Sequence, residues 1–180
     1  MPHWPRSLKL RASVTAILAA MFGIARQAHA TDLVSSATGY TLSAAGNPYT
    51  VVSGAVIDTR GNGQTAITGS GWTLTNLGSV YGGHFAVEFD QPATVDNHGL
   101  FYSSTTSALA LFGGAGVTNR AGATIAGHLD GVFAPGATSS VVNAGLIAGD
   151  INDMSVGQTA VHLPDGGTVT NLASGQHPLV

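Results

Sequence analysis

The stretch VVNAGLIAG, residues 141–149, holds the unit on which the fold depends. Its asparagine follows a valine by two positions, and a glycine follows the asparagine by two positions. The same order recurs along the chain, with successive asparagines 21, 22, 24 and 28 residues apart. The repeated asparagines are Asn76, Asn97, Asn119, Asn143 and Asn171. A period of this length indicates a repeat architecture in which successive units stack on one another.

Each period contains three short apolar stretches, one before the asparagine and two after it. The two later stretches are marked by Val80, Phe101, Ile125 and Ile147 and by Val87, Leu109, Val132 and Val161. Each stretch is too short for a helix and is bounded by turn residues, which predicts three strands per period. We therefore expect an all-β fold, a right-handed parallel β-helix (β-solenoid) of about six coils.

Stacking in register predicts a structural role for each repeated residue. Stacked asparagine amides hydrogen-bond along the axis, so the five asparagines are predicted to form a ladder at one corner. The apolar residues two positions before them should form a buried column: Leu74, Val95, Val117, Val141 and Val169. Glycines that follow should give the turn its conformational freedom: Gly78, Gly99, Gly122 and Gly145. Before Asn76 the unit is weaker, and Ser53 is expected at the position of the asparagine.

The two ends of the chain differ from the repeats. Residues 1–30 have a basic start, an apolar centre and the small residues Ala28 and Ala30, which predicts a helical signal peptide cleaved after Ala30. Residues 31–50 lack the asparagine unit and are expected to form a cap or an atypical first coil. Residues 51–180 then hold the repeats. No cap follows the final asparagine, so we expect these repeats to be truncated at the C-terminus.

Charge excludes several classes of partner. Residues 31–180 contain two basic residues, Arg60 and Arg120, against nine acidic ones, a net charge of −7. Without a basic patch, binding to nucleic acid or to anionic lipid is not expected. Cysteine is absent, so no disulfide and no thiolate metal site exist in this chain.

Candidate chemical groups are few and scattered. Residues 60–66, RGNGQTA, have the glycine spacing of a dinucleotide-binding turn, but no helix is predicted after them, so a solenoid turn is expected. The histidines His84, His98, His128, His162 and His177 form no metal-binding pair and are expected at turns or on the surface. Asp150 and Asp153 lie in an insertion at residues 150–158 that lacks a calcium-binding repeat. We expect no catalytic, cofactor or metal site.

The repeats resemble the passenger region of Gram-negative autotransporters, proteins of type V secretion. Residues 143–149 (NAGLIAG) and 166–171 (GGTVTN) carry the resemblance, which covers about residues 50 to 175. The resemblance implies export by the secretion machinery to the periplasm, then display on the cell surface or release. It also implies adhesion or virulence, with a host or cell-surface receptor or a glycan as partner. The intact parent would carry further coils and an outer-membrane translocator barrel, for which residues 1–180 have no room.

An enzyme is the alternative, because polysaccharide lyases and hydrolases of the pectate-lyase-like class also use a parallel β-helix. Their chemistry needs clustered carboxylates, or calcium-binding acids beside an arginine. Glu88 and Asp90 come nearest, as acids two positions apart without an adjacent arginine. We therefore expect a binding protein without catalytic activity.

Overall fold

The computed structural model describes residues 29–149 and 159–172. Residues 1–28 of the predicted signal peptide, including Ala28, the predicted insertion with Asp150 and Asp153, and His177 lie outside the described residues.

Eighteen short strands and two short 3-10 helices, η1 (Ala44–Gly46) and η2 (Arg60–Asn62), make up the regular structure of the described residues. Sheet A contains β1 (Thr31–Leu33), β3 (Tyr49–Val51), β6 (Thr73–Asn76), β9 (Ala93–Asn97), β12 (Ala115–Asn119), β15 (Ser139–Asn143) and β18 (Gly167–Asn171). Sheet B contains β4 (Val56–Asp58), β7 (Ser79–Gly82), β10 (Leu100–Ser103), β13 (Thr124–Gly127) and β16 (Leu146–Gly149). Sheet C contains β2 (Tyr40–Thr41), β5 (Ile67–Gly69), β8 (Val87–Phe89), β11 (Leu109–Leu111), β14 (Asp130–Phe133) and β17 (Thr159–His162).

The chain visits the three sheets in the repeating order A, B, C, and every strand pairs in parallel with its counterpart one turn away. The prediction of an all-β parallel solenoid with three strands per period is confirmed. From β3 to β17 the chain completes about five turns of three strands. Residues 31–50 add β1, β2 and a single bridge from Ser36 to Ile57, which make a partial turn. Strand β3 spans the predicted boundary at residue 50.

The core is a set of inward-facing apolar columns, one or more from each sheet. In sheet A the column residues are in register, and Leu74, Val95, Val117 and Val141 are at most 2% exposed. Burying each such side chain stabilises the fold by about 1.5–3 kcal/mol. Val169 continues the register but is 49% exposed, so its predicted burial is wrong. It lies on β18, the last strand of sheet A in the described residues, and none of these strands covers it.

The corner between sheets A and B uses glycine for a different reason from the one predicted. Gly78, Gly99 and Gly145 do not have positive φ angles. A Cβ at Gly99 would collide with the carbonyl oxygen of Gly78 in the preceding turn, and the other two glycines meet backbone oxygens in the same way. Glycine is therefore needed here because successive turns approach closely.

Two assignments of the repeat at this corner are wrong by one or two residues. Ala123, not Gly122, is the equivalent of Gly99, since Leu100 pairs with Thr124. Gly122 belongs to a local insertion and has a φ of 79°. The partner of Asn76 in β3 is Val51, so the asparagine position before Asn76 is taken by a buried valine and not by Ser53.

Candidate functional site

The five repeated asparagines lie above one another at the end of successive strands of sheet A. Nδ2 of each of the first four donates a hydrogen bond to Oδ1 of the next asparagine toward the C-terminus, at 2.8–2.9 Å, and the last acceptor is Asn171. Oδ1 of Asn76, Asn97 and Asn143 also accepts the backbone N–H of the residue two positions later. The first four side chains are at most 2% exposed. Their polar atoms are used inside the solenoid, so the ladder holds turns together and does not face a ligand.

Arg60 and Arg120 are both held by acids on the solenoid surface. The Arg60 guanidinium donates to both carboxylate oxygens of Asp58, at 3.0 and 2.6 Å, and lies 4.2 Å from the ring centroid of Tyr81. The hydrogen bond from Arg60 lowers the pKa of Asp58, and the bond to Asp58 raises the pKa of Arg60. Both arginine charges of the described residues are thus neutralised locally, because Arg120 is paired in the same manner.

Arg120 pairs with an acid one turn away. It donates to the two carboxylate oxygens of Asp96 at 2.7 and 2.9 Å, and His98 lies 3.4 Å from the same carboxylate. The hydrogen bond from Arg120 is the main cause that lowers the pKa of Asp96. This pair joins two turns at the outside of the asparagine corner.

The other candidate groups remain apart. Within the described part of the chain, no three histidine, aspartate or glutamate side chains come close enough to hold a metal ion. Of the five candidate histidines, the four that the structure describes, His84, His98, His128 and His162, are exposed, as predicted. The turn at residues 60–66 forms the single 3-10 turn η2 and leads into strand β5, so the helix that a dinucleotide site needs does not follow it. Glu88 is half-buried and accepts a hydrogen bond from Thr65 at 3.2 Å, while Asp90 is exposed.

The outer side of sheet C carries a surface that we call the C face. One residue from each strand, at the position next to the inward core residue, lies in register along the solenoid axis: Thr41, Thr68, Glu88, Ala110, Phe133 and His162. Ala110 is fully buried, whereas the other five are at least partly exposed. The C face also includes Phe85 and Phe112, which flank this column. Its N-terminal half is polar and its C-terminal half is aromatic.

The polar half of the C face contains a groove of about 330 Å³. The groove is lined mainly by hydroxyl, amide and carboxylate side chains: Thr38, Tyr40, Thr41, Gln64, Thr65, Thr68 and Glu88. Its volume lies at the lower end of the range of about 300–1,000 Å³ that is usual for small-molecule sites.

The aromatic half of the C face is a row of rings from successive turns. Phe85 and Phe112 have ring centroids 6.4 Å apart, Phe112 and Phe133 6.1 Å, and Phe133 and His162 5.2 Å. The first two contacts are edge to face, the geometry that aromatic pairs prefer. Phe112 remains 38% exposed and His162 half exposed. The row is therefore held together internally, and Phe112 and His162 are open to solvent while Phe85 and Phe133 are partly buried.

Sequence reasoning did not find this row, because its members do not share one position of the repeat. Phe85 precedes the buried Val87 by two residues, Phe112 follows the buried Leu111, and Phe133 follows the buried Val132. Only the turn geometry brings the three rings together.

No protein-family model, curated protein or solved structure matches this chain. Among residues 29–149 and 159–172, no helix is long and apolar enough to cross a bilayer. The function is therefore inferred from the residues of the chain itself.

Proposed function

We propose that this chain is an exported, non-catalytic β-helix segment of an autotransporter-like surface protein, and that the protein serves adhesion. The proposal rests on the contrast between the inside and the outside of the solenoid. Except at the last strand β18, the repeated residues are buried in columns and in the asparagine ladder, whereas the C face leaves Phe112 exposed and Phe85 and Phe133 partly exposed, at positions that do not follow the repeat. Exposed aromatic side chains in one contiguous row are typical of surfaces that bind another molecule.

The charges support binding without catalysis. A lyase of the β-helix class needs a free arginine as base, but Arg60 and Arg120 are each held by two hydrogen bonds to one aspartate. Glycoside hydrolysis needs two carboxylates facing one bond, and Glu88 is instead hydrogen-bonded to Thr65. No observation on the described residues favours the enzymatic alternative.

Export is tested by expressing the full chain in a Gram-negative host and sequencing the N-terminus of the periplasmic protein. We expect the mature chain to begin at Thr31. Ala28→Arg should block processing because signal peptidase requires small residues at this position, whereas His29→Leu, at the tolerant position between the two alanines, should be processed normally. Retention of residues 1–30 in the wild-type chain would contradict export.

Adhesion is tested with the same periplasmic protein, labelled and added to cultured epithelial cells. We expect saturable binding to the cells and no release of reducing ends or unsaturated products from pectin, cellulose or chitin. Cleavage of any of these polymers would contradict the non-catalytic proposal, and absence of saturable cell binding would contradict adhesion.

A further inference from the structure

The C face combines polar and aromatic side chains along one side of a sheet. An outward strand position usually takes a polar residue, because it faces water. Of the five phenylalanines in the described residues, Phe89 and Phe101 are in the core, while the other three form the outer row. A contiguous row in which Phe112 is exposed and Phe85 and Phe133 are only partly buried indicates a surface that becomes covered when a ligand binds.

The row follows the solenoid axis, so the ligand it fits is elongated. The register column crosses six strands of sheet C, from Thr41 to His162. Five steps of about 4.8 Å make a surface about 24 Å long. A chain molecule lying along it would contact the polar groove first and the rings of Phe112 and Phe133 further along.

Carboxylates and hydroxyls accompany the rings. Glu88 lines the groove together with threonine hydroxyls. At the aromatic end, Asp130 accepts hydrogen bonds from Ser107 at 2.9 Å and Thr159 at 2.5 Å and lies 3.9 Å from His162. Carboxylate oxygens form strong, charge-assisted hydrogen bonds with hydroxyl donors. Glu88 and the threonine hydroxyls can therefore accept hydrogen bonds from ligand hydroxyl groups, while Asp130, whose side chain is 13% exposed, offers the lone pairs that Ser107 and Thr159 leave unused.

Charge excludes an anionic ligand. Both arginines of the described residues are bound to Asp58 and Asp96. The C face contributes the acid Glu88, and the acid Asp130 lies beside its His162. A sulfated or uronic-acid polymer would be repelled by these carboxylates. An uncharged polymer with many hydroxyls would not be.

We propose that the C face binds an uncharged glycan chain that lies along the solenoid axis. The C–H faces of the sugar rings pack on Phe112 and Phe133, whose ring faces carry partial negative charge, and the sugar hydroxyls donate to Glu88 and to Asp130. This inference rests on the proposed function of the chain as a binding protein and names the class of its ligand.

The test is native electrophoresis of the periplasmic protein, from expression of the full chain, in gels that contain dextran, mannan, hydroxyethylcellulose or heparin. We expect at least one of the three neutral polymers to retard the protein and heparin to leave its mobility unchanged. The dependence of mobility on polymer concentration gives the association constant.

Variants separate ligand contact from structural support. Phe112→Leu keeps an apolar side chain beside Phe85 and Phe133 but removes the ring, and should weaken binding about tenfold. Leu77→Ala is the matched control, because Leu77 is similarly exposed (41% against 38%) but lies at the corner between sheets A and B. It should bind like the wild type. Circular dichroism should show the same thermal midpoint for Phe112→Leu and wild type within a few degrees.

Three results would overturn the inference: no retardation by any neutral polymer, stronger retardation by heparin, or wild-type affinity in a folded Phe112→Leu variant. If the wild-type protein binds epithelial cells but no neutral polymer, the glycan inference fails and the adhesive function stands, with a protein receptor as the partner. If the protein binds a neutral polymer but no cells, the glycan inference stands and the adhesive proposal fails.

Discussion

Replacing Asn119 by alanine removes the central rung of the asparagine ladder. Nδ2 of Asn119 donates to Oδ1 of Asn143 at 2.8 Å and to the carbonyl oxygen of Leu146 at 3.1 Å, and Oδ1 of Asn119 accepts from Asn97 at 2.8 Å. Asn119 is fully buried, so water does not replace these partners. The substitution should therefore destabilise the solenoid.

The magnitude is limited by the bonds that the neighbouring asparagines keep. Nδ2 of Asn97 still reaches the carbonyl oxygens of Gly99 and Thr124, at 3.2 and 3.1 Å, and Oδ1 of Asn143 still accepts from Gly145 at 3.1 Å. Neither neighbour is left wholly unpaired. Three lost hydrogen bonds, two in the ladder and one to Leu146, at about 1 kcal/mol each, and about 1 kcal/mol for the void left by the amide, give a loss of about 4 kcal/mol.

Urea unfolding followed by far-ultraviolet circular dichroism measures this loss. Asn171→Ala is the control, since Asn171 accepts the same kind of ladder bond but is exposed, where water can take over. It should cost less than about 1 kcal/mol. The reasoning is refuted if Asn119→Ala unfolds at the wild-type urea concentration with an unchanged slope, or if the two variants lose equal stability.

Two further predictions concern the same corner. Gly99→Ala should destabilise the protein by about 3 kcal/mol or more, because the new Cβ meets the rigid backbone of Gly78. Gly116→Ala is the control in urea unfolding, and it should change stability by less than about 1 kcal/mol because the space around Gly116 is open. Asp96→Asn should destabilise the protein above about pH 4, and the destabilisation should shrink as the pH falls. The pKa of Asp96 is lowered, so its pairing with Arg120 stabilises the fold only while the carboxylate is ionised; urea midpoints from pH 2 to 7 test this. A pH-independent difference between Asp96→Asn and the wild type would show that the charge of Asp96 is not the cause.

The sequence predicts the inside of the solenoid well, because stacking imposes a period on every buried residue. Val95, Val117 and Val141 recur in phase with Asn97, Asn119 and Asn143, and the structure pairs them in register. A period in the sequence is sufficient to predict three strands per turn. The repeat does not show which strand is the last in the sheet, so the sequence does not predict that Val169 is exposed.

Corners are predicted less well, because they admit insertions without breaking the stack. The two extra residues around Gly122 shift the glycine pattern, and Ala123 takes the position that a glycine holds in neighbouring turns. In β3 the column accepts Val51 where later turns have asparagine, since an apolar side chain also fills the interior. Spacing alone does not show whether another residue replaces an asparagine of the ladder or whether the repeat is shifted by one or two residues.

Stacking also explains why the repeat does not predict the residues of the C face. Backbone hydrogen bonds and inward columns fix the register of each turn, so outward side chains are free to differ from turn to turn. The three rings of the row, Phe85, Phe112 and Phe133, occupy different positions in their turns. They meet only because the spacing between neighbouring strands is close to the distance between the centroids of two aromatic rings in contact. A binding surface on a solenoid is therefore expected among outward residues that break the period, and in the described residues the longest such aromatic row lies on the C face.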